Sequence, residues 1–442
     1  MTALEVFGEF AASQRPLATD VRNLVRLHVA DTVAAWVAAS HTAEARQLFA
    51  YRDRARRDGS GASLDVAINC ALVRSSEVDD IHLASMMTPG SIVIPAALPI
   101  AASHGDADRL AFNEAIVAGY EAMIRLGLAL NGPALLARGI WPTYFGAAFG
   151  VAAVAARLLN LDAKQTAHAL GFALTQTAPG VGQQNTSTTT RWLAAGHAAR
   201  NGFQAVLAVQ GGFTSDLNLF EGRYFPGIYD IAPDIAALTG DLGERWTLRE
   251  VSFKPWCAAR QSMAATQAFK EMIAGGADVA RIDAIEISVP PPFLRMLDHG
   301  ISEADRLSHL TSMPYQIAIA ALDPGAAFDV GQAGIAPPAV RALMGKVKVA
   351  ADEKLMQDFP VKWRARVRVR IDGAWQERET ADLPGDPEKP FDENAIRAKF
   401  KKMAGRTIGD AQCDALIANA LGVVDGNEAP AKLLALIEAA RG

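Results

Sequence analysis

In Phe253-Lys254-Pro255-Trp256-Cys257-Ala258-Ala259-Arg260 a lysine and an arginine flank a proline turn, and small residues suited to a helix follow from Ala258. Such spacing can build a carboxylate site. Arg260 at the head of a helix offers a planar fork to an anion, while Lys254, between apolar Phe253 and nearby Trp256, is desolvated enough to move a proton. The same pair also reads as surface charges at a helix entry, and the residues alone leave both readings open. A second stretch, Glu77-Val-Asp-Asp-Ile-His-Leu-Ala-Ser-Met-Met-Thr-Pro-Gly90, crowds carboxylates and His82 ahead of an apolar run. It reads either as a loop delivering polar groups to a pocket or as one capping the next helix with acids.

The elements that must hold these residues are mostly helices. Apolar residues recur at helical spacing over 18–39, with His28 on the buried face as a packed core residue, and over 62–76. Further helices are expected over 91–102, 108–131 and 144–159, and from a capping box at Asp162 and Gln165 to about residue 177. Residues 178–190 are low in apolar side chains and rich in turn formers and read as a loop closed by Arg191, with a helix over 194–210 and a stop at Gly211-Gly212. The character changes beyond 274. Ile285, Ile287 and Val289 alternate with polar residues as a strand, and residues 364–379 form a hairpin around Asp372-Gly373. Its first strand carries arginine on one whole face, which suits a solvated face or an interface. Helices are expected over 303–322 and 337–344, and helical pattern returns from 392 to the end. The expected fold is therefore mainly α: an all-α domain from both chain ends, residues 1–268 and 393–442, with a smaller α+β domain over 269–392 inserted.

Composition bounds the partners. The chain has 442 residues, half of them hydrophobic, and its 43 basic and 48 acidic residues leave a formal charge of −5. The sequence shows no basic stripe, which argues against nucleic acid or an anionic membrane as a partner and favours a small-molecule ligand. No apolar run is long enough to span a bilayer, and the start Met1-Thr-Ala-Leu-Glu has no export pattern. Cys70, Cys257 and Cys413 are widely spaced, fit no metal motif and leave one over in any disulfide scheme. A cytoplasmic protein without a metal is the expectation.

Taken in order, several segments resemble the MmgE/PrpD family, whose members include 2-methylcitrate dehydratase, cis-aconitate decarboxylase and iminodisuccinate epimerase. They are Asp79-Asp80-Ile-His82 with Pro89-Gly90, Gly119-Tyr-Glu121, Pro142-Thr143, Gly196-His-Ala-Ala-Arg-Asn-Gly202, Gly212-Phe-Thr214, Phe220-Glu-Gly222, Phe253-Lys-Pro255 and Ser312-Met-Pro-Tyr315. The resemblance covers nearly the whole chain. It implies the same two-domain fold, a homodimer, no cofactor, and a cleft containing Asp80, His82, Arg191, Lys254 and Tyr315. This chain departs from the family pattern at four places: Thr88 and Trp141 stand where many members have histidine, Arg191 where lysine is usual, and Arg74 where histidine often occurs.

Losing imidazoles removes the groups best able to change protonation near neutral pH. A dehydratase needs an acid beside its base, whereas an epimerase needs only proton removal from one face and return to the other. The expected activity is thus a cofactor-independent epimerase of a small iminodisuccinate-like polycarboxylate. Lys254 and Tyr144 would be its two bases and His82 with Asp80 the reserve pair. Arg191 and Arg260 would clamp carboxylates, with Tyr315, Thr88 and Trp141 lining the site. Two alternatives stand beside it: a dehydratase of a 2-methylcitrate-like tricarboxylate, with His82 or Tyr315 as acid, and a non-catalytic helical dimer that binds a polycarboxylate.

Overall fold

The computed structural model describes residues 1–57, 61–104, 109–177, 188–303, 305–331 and 333–441. The helix start expected at Asp108 and most of the loop expected over 178–190 lie outside them. The described residues of 1–182, 189–252 and 392–442 make one compact unit, and those of 183–188 and 253–391 make the other. The chain thus leaves the first unit at 252/253 rather than at 268/269. The cause is the Arg260–Ala274 helix, which packs on strands of the second unit. No described helix is long and apolar enough to cross a membrane.

The first unit is helical. Its Pro142–Leu158 helix is buried at every position, as expected for a sequence apolar or small on all sides. Proline at its first turn starts it with a ready-made φ. Around it pack the helices Gly90–Ser103, Arg109–Ala129, Ala163–Thr175 and Thr190–Gln210. The last of these approaches closely because it carries Gly196 and Gly202. A Cβ at either would collide with the backbone carbonyl of Ala67 or Ala148, so the Gly196–Gly202 motif is a packing device. This helix also begins four residues earlier than expected, since Arg191 and Trp192 are buried in its first turn. Asp162 and Gln165 form the expected capping box.

Residues 77–90 are more than a loop. Strand β1, Ile81–His82, pairs antiparallel with β2, Val251–Ser252, a partner too distant in sequence for any local pattern to announce. From the C-terminal segment, the Glu393–Ile408 helix returns to pack on the Thr19–Ala39 helix, placing Lys399 against Asp31 at 2.6 Å.

The second unit is built on a four-stranded sheet in the order β4-β3-β5-β6. Strand β3, Ile282–Val289, runs parallel to β4, Val347–Ala351, and antiparallel to β5, Ala365–Ile371. The hairpin to β6, Ala374–Thr380, turns at Asp372 and Gly373, both at positive φ (48° and 80°), as a two-residue turn matching strand twist requires. Val367 and Val369 are fully buried. The arginines opposite them are not bare: Arg366 pairs with Asp352 at 2.8 Å and Glu379 at 3.1 Å, and Arg368 with Glu286 at 2.9 Å. The single helix expected over 303–322 is two, Arg306–Thr311 and Met313–Leu322, because Ser312 is extended (ψ 111°) and caps the second.

Candidate active site

Asp80 anchors the first unit's polar centre. Its Oδ1 accepts the Gly90 N–H at 2.8 Å, and its Oδ2 accepts the Tyr120 hydroxyl at 2.6 Å. His28 Nδ1 stands 2.8 Å from that same oxygen. A Cβ on residue 90 would come within 2.6 Å of the carboxylate, so the Pro89-Gly90 pair is explained by close approach. Burial, and then the charge of Asp80, hold the Tyr120 phenol well above its ordinary range, so it stays a donor. One turn along from His28, Asp31 is raised by burial and pulled back by Lys399. Lys399 also donates to the Val78 carbonyl at 3.3 Å. Asp80 is therefore committed to His28, Tyr120 and Gly90 rather than paired with His82.

His82 is oriented by other groups. The Ser85 backbone N–H, which can only donate, reaches His82 Nδ1 at 3.2 Å, and Ser85 Oγ lies 2.9 Å from the same nitrogen. In the neutral ring the proton consequently sits on Nε2, which faces Glu250 Oε2 at 3.3 Å. Glu250 is also gripped by Arg245 through two bonds of 2.9 and 2.6 Å. Burial raises the Glu250 carboxyl, but His82 and Arg245 outweigh it and leave it below the usual value. Sequence reading missed both Ser85 and Glu250. Only the β1–β2 pairing brings Glu250 near, and nothing local signals that.

The remaining first-unit residues form a layered group. The Arg191 guanidinium lies 4.3 Å over the Trp141 ring, and Trp141 stacks on Tyr144 at 5.2 Å and 25°. Arg191 Nη2 is 3.9 Å from Glu77 Oε1, beyond hydrogen-bond reach. Glu77 also meets Arg74 at 3.2 Å and accepts the Trp192 Nε1–H at 3.4 Å. Arg74 in turn faces both oxygens of Asp79 at 3.2–3.3 Å. Four buried donor atoms here have no hydrogen-bond partner among the described residues: Arg74 Nε, Trp141 Nε1, Tyr144 OH and Arg191 Nε. Thr88 adjoins them at the helix start, its N–H donated to Thr143 Oγ1 at 3.0 Å. Its hydroxyl is engaged with Thr143 and Ser91.

Lys254, Arg260 and Tyr315 belong to the second unit. Lys254 and Arg260 are both buried, which removes the reading of surface charges. Arg260 already holds an anion: its Nη2 lies 3.0 and 2.9 Å from the two oxygens of Asp386, while Nε and Nη1 have no hydrogen-bond partner among the described residues. Asp386 is fixed in turn by the Leu383 N–H at 2.7 Å. Tyr315 packs edge-on to His309 at 4.8 Å and lines a cavity of about 60 Å³ with Ile319, Asp323 and Ile335. Among the described residues no three His, Cys, Asp or Glu side chains gather as a metal site.

Comparison with known families decides the kinship. The MmgE/PrpD N-terminal domain model matches residues 5–235, and the MmgE/PrpD C-terminal domain model matches 256–422. The chain belongs to the MmgE/PrpD family. Within this MmgE/PrpD chain, Lys254 falls between the matched stretches and Arg260 inside the second. A cis-aconitate decarboxylase-like protein of Aspergillus oryzae is 32% identical over 178 residues, 38% of this chain and 36% of its own length. A cis-aconitate decarboxylase of Aspergillus terreus strain NIH 2624 is 24% identical over 371 residues, 78% of this chain and 75% of its own length. A second Aspergillus terreus protein of that name is 32% identical over 163 residues, 35% and 32% of the respective lengths. The isomerase class expected from the sequence is overturned here. These relatives bear the name of a decarboxylase, which is a lyase, and a reaction that releases carbon dioxide has no departing hydroxyl to protonate, so the missing histidines do not select an epimerase.

Proposed function

We propose that this family member is a lyase acting on a small tricarboxylate, and that it decarboxylates an unsaturated substrate of the cis-aconitate type. The observation that carries the reading is the decarboxylase name of the relative matched over 78% of the chain. The donor-rich group of Arg74, Arg191 and Tyr144 gives it a chemistry. As the bond to the departing carboxylate breaks and carbon dioxide leaves, its electron pair stays on carbon and spreads through the adjacent double bond into a retained carboxylate. Fixed guanidinium charges stabilise that developing anion. The Tyr144 O–H, buried and without a partner among the described residues, delivers the proton to carbon and is reprotonated from water.

A second reading, dehydration of a 2-methylcitrate-like tricarboxylate, is favoured by one feature: a His82 ring held between Ser85 and Glu250 could protonate a departing hydroxyl. Incubation with cis-aconitate and with 2-methylcitrate, followed by proton NMR and carbon dioxide release, tests both. Carbon dioxide with a new olefinic acid from cis-aconitate, abolished in Tyr144→Phe with binding retained, is the expected result. Loss of water from the hydroxy acid without carbon dioxide would establish the second reading, and no change in either acid would defeat the lyase assignment.

A further inference from the structure

The Gly119-Tyr120-Glu121 segment has no part in the reaction above, yet it lies midway along the Arg109–Ala129 helix and reaches to both sides of His82. On one side Tyr120 fixes Asp80, two residues before His82, at 2.6 Å. On the other, Glu121 and, one helical turn on, Arg125 grip the turn that leads toward Glu250. Arg125 Nε donates to Glu121 Oε2 at 2.8 Å and Nη1 to the Gly240 carbonyl at 2.6 Å. Its Nη2 donates to Asp241 Oδ1 at 2.9 Å and to the Arg245 carbonyl at 3.0 Å. Glu121 Oε1 accepts the Leu248 N–H at 3.2 Å. Both side chains are buried. A planar fork of fixed donors thus fastens both ends of the 240–245 turn to one helix.

The turn matters for what it aims. Pairing of β1 with β2 brings the backbone at residue 251 beside His82, but the Glu250 side chain is 40% exposed and has water as an alternative partner. Arg245 keeps it on the imidazole, holding Oε1 through Nε and Nη2 while Oε2 faces His82 Nε2. Arg245 is itself 52% exposed, so its aim depends on where its backbone is held, and Arg125 donates to that backbone. We infer that Arg125, backed by Glu121, is a positioning residue for the His82 ring, acting through the Arg245–Glu250 pair to fix the Nε2–H. That His82 delivers a proton to substrate rests on the dehydrating form of the lyase reading; that Arg125 fixes the ring does not.

The test is exchange of the His82 Nε2 proton with water, followed by NMR on the intact chain with isotope-labelled imidazoles and assigned by the signal lost in His82→Gln. Arg125→Lys keeps a cation beside Glu121 but cannot span the acceptors at Gly240, Asp241 and Arg245 together. It should speed exchange on the order of 10- to 100-fold, the loss of a hydrogen bond to a charged acceptor. Arg245→Gln, at a half-exposed position, should do the same and decides the matter where Arg125→Lys does not fold. Arg249→Gln is the control: Arg249 neighbours Glu250 in sequence, but its side chain pairs with Asp20, so exchange should stay at the wild-type rate. Wild-type exchange in Arg245→Gln, or in Arg125→Lys with circular dichroism unchanged, overturns the inference. So does equal acceleration in Arg249→Gln, the mark of a loop loosened in general, or a wild-type proton that exchanges as in free imidazole. With 2-methylcitrate, Arg125→Lys should lower kcat and leave KM near its wild-type value, since the ring is placed to move a proton rather than to bind. If exchange responds as described while 2-methylcitrate is not consumed, the dehydrating reading fails and the positioning role stands. A lowered kcat with wild-type exchange defeats the positioning role alone.

Discussion

Replacing Lys399 by methionine should destabilise the first unit, and more so at alkaline than at mildly acid pH. The Lys399 ammonium lies 2.6 Å from Asp31 Oδ1, with both side chains 2% exposed, and donates to the Val78 carbonyl as well. Methionine fills nearly the same space but leaves Asp31 buried without its cation. Removing one partner of a buried pair costs about 3–5 kcal/mol, which at about 2–4 °C per kcal/mol lowers the melting temperature by roughly 6–20 °C. Burial raises the Asp31 carboxyl, and Lys399 is the main group opposing that rise; without it the folded-state value climbs further. A carboxyl whose folded value exceeds its unfolded one contributes stability that is whole below the unfolded value and is lost as pH rises through the folded value. The variant should therefore lie nearest the wild type around pH 5 and fall away toward pH 8. Asp31→Asn added to Lys399→Met removes the stranded charge and should recover much of the loss. Scanning calorimetry of the three proteins at both pH values is the assay. A Lys399→Met protein that melts with the wild type at pH 8, or a double variant no more stable than the single, would refute the reasoning.

Tyr120→Phe removes the 2.6 Å hydrogen bond to Asp80 and should cost about 1.5–3 kcal/mol, the range for bonds to a charged acceptor; urea unfolding monitored by circular dichroism measures it. Glu250 has a carboxyl below its usual value, so its contribution is present above the ordinary glutamate range and is lost as pH falls through the lower folded value. Glu250→Gln should flatten that acid limb of a melting-temperature profile, and a limb of unchanged depth would show that Arg245 and His82 do not depend on the charge.

The helices were legible because their sequences repeat a local rule. The Pro142–Leu158 helix is apolar all round, and the Asp162 box caps the helix after it, so each announces itself within a few residues. The strands of the second unit were legible for the same reason, alternation in Ile285–Val289 and a turn at Asp372-Gly373. What escaped was everything that depends on distant pairing. Glu250 reaches His82 only through β1 and β2, two residues each. Lys399 meets Asp31 across almost the whole chain. His28, read from its apolar neighbours as a core residue, is indeed buried, but it is buried against Asp80, which periodicity cannot report. Arg260 lay just inside the crossing into the second unit, and its partner Asp386 is 126 positions away, so sequence offered it to a ligand when the fold had already given it a carboxylate.

These distant pairings also narrow where reactive protons can come from. A lyase that makes or shifts a double bond must return or remove a proton at carbon, and imidazole is the usual carrier at neutral pH. In the first unit the two histidines of the polar centre are already engaged, His28 with Asp80 and His82 with Ser85 and Glu250. Positions 88 and 141, where an imidazole would otherwise stand ready, hold a threonine bonded to Thr143 and a tryptophan stacked on Tyr144. Tyr144 alone among these combines full burial, an O–H without a partner among the described residues, and neighbouring guanidinium charges. In the proposed reaction the arginines that stabilise the retained carboxylate stand beside the phenol that delivers the proton, so charge stabilisation and proton delivery come from one group of residues.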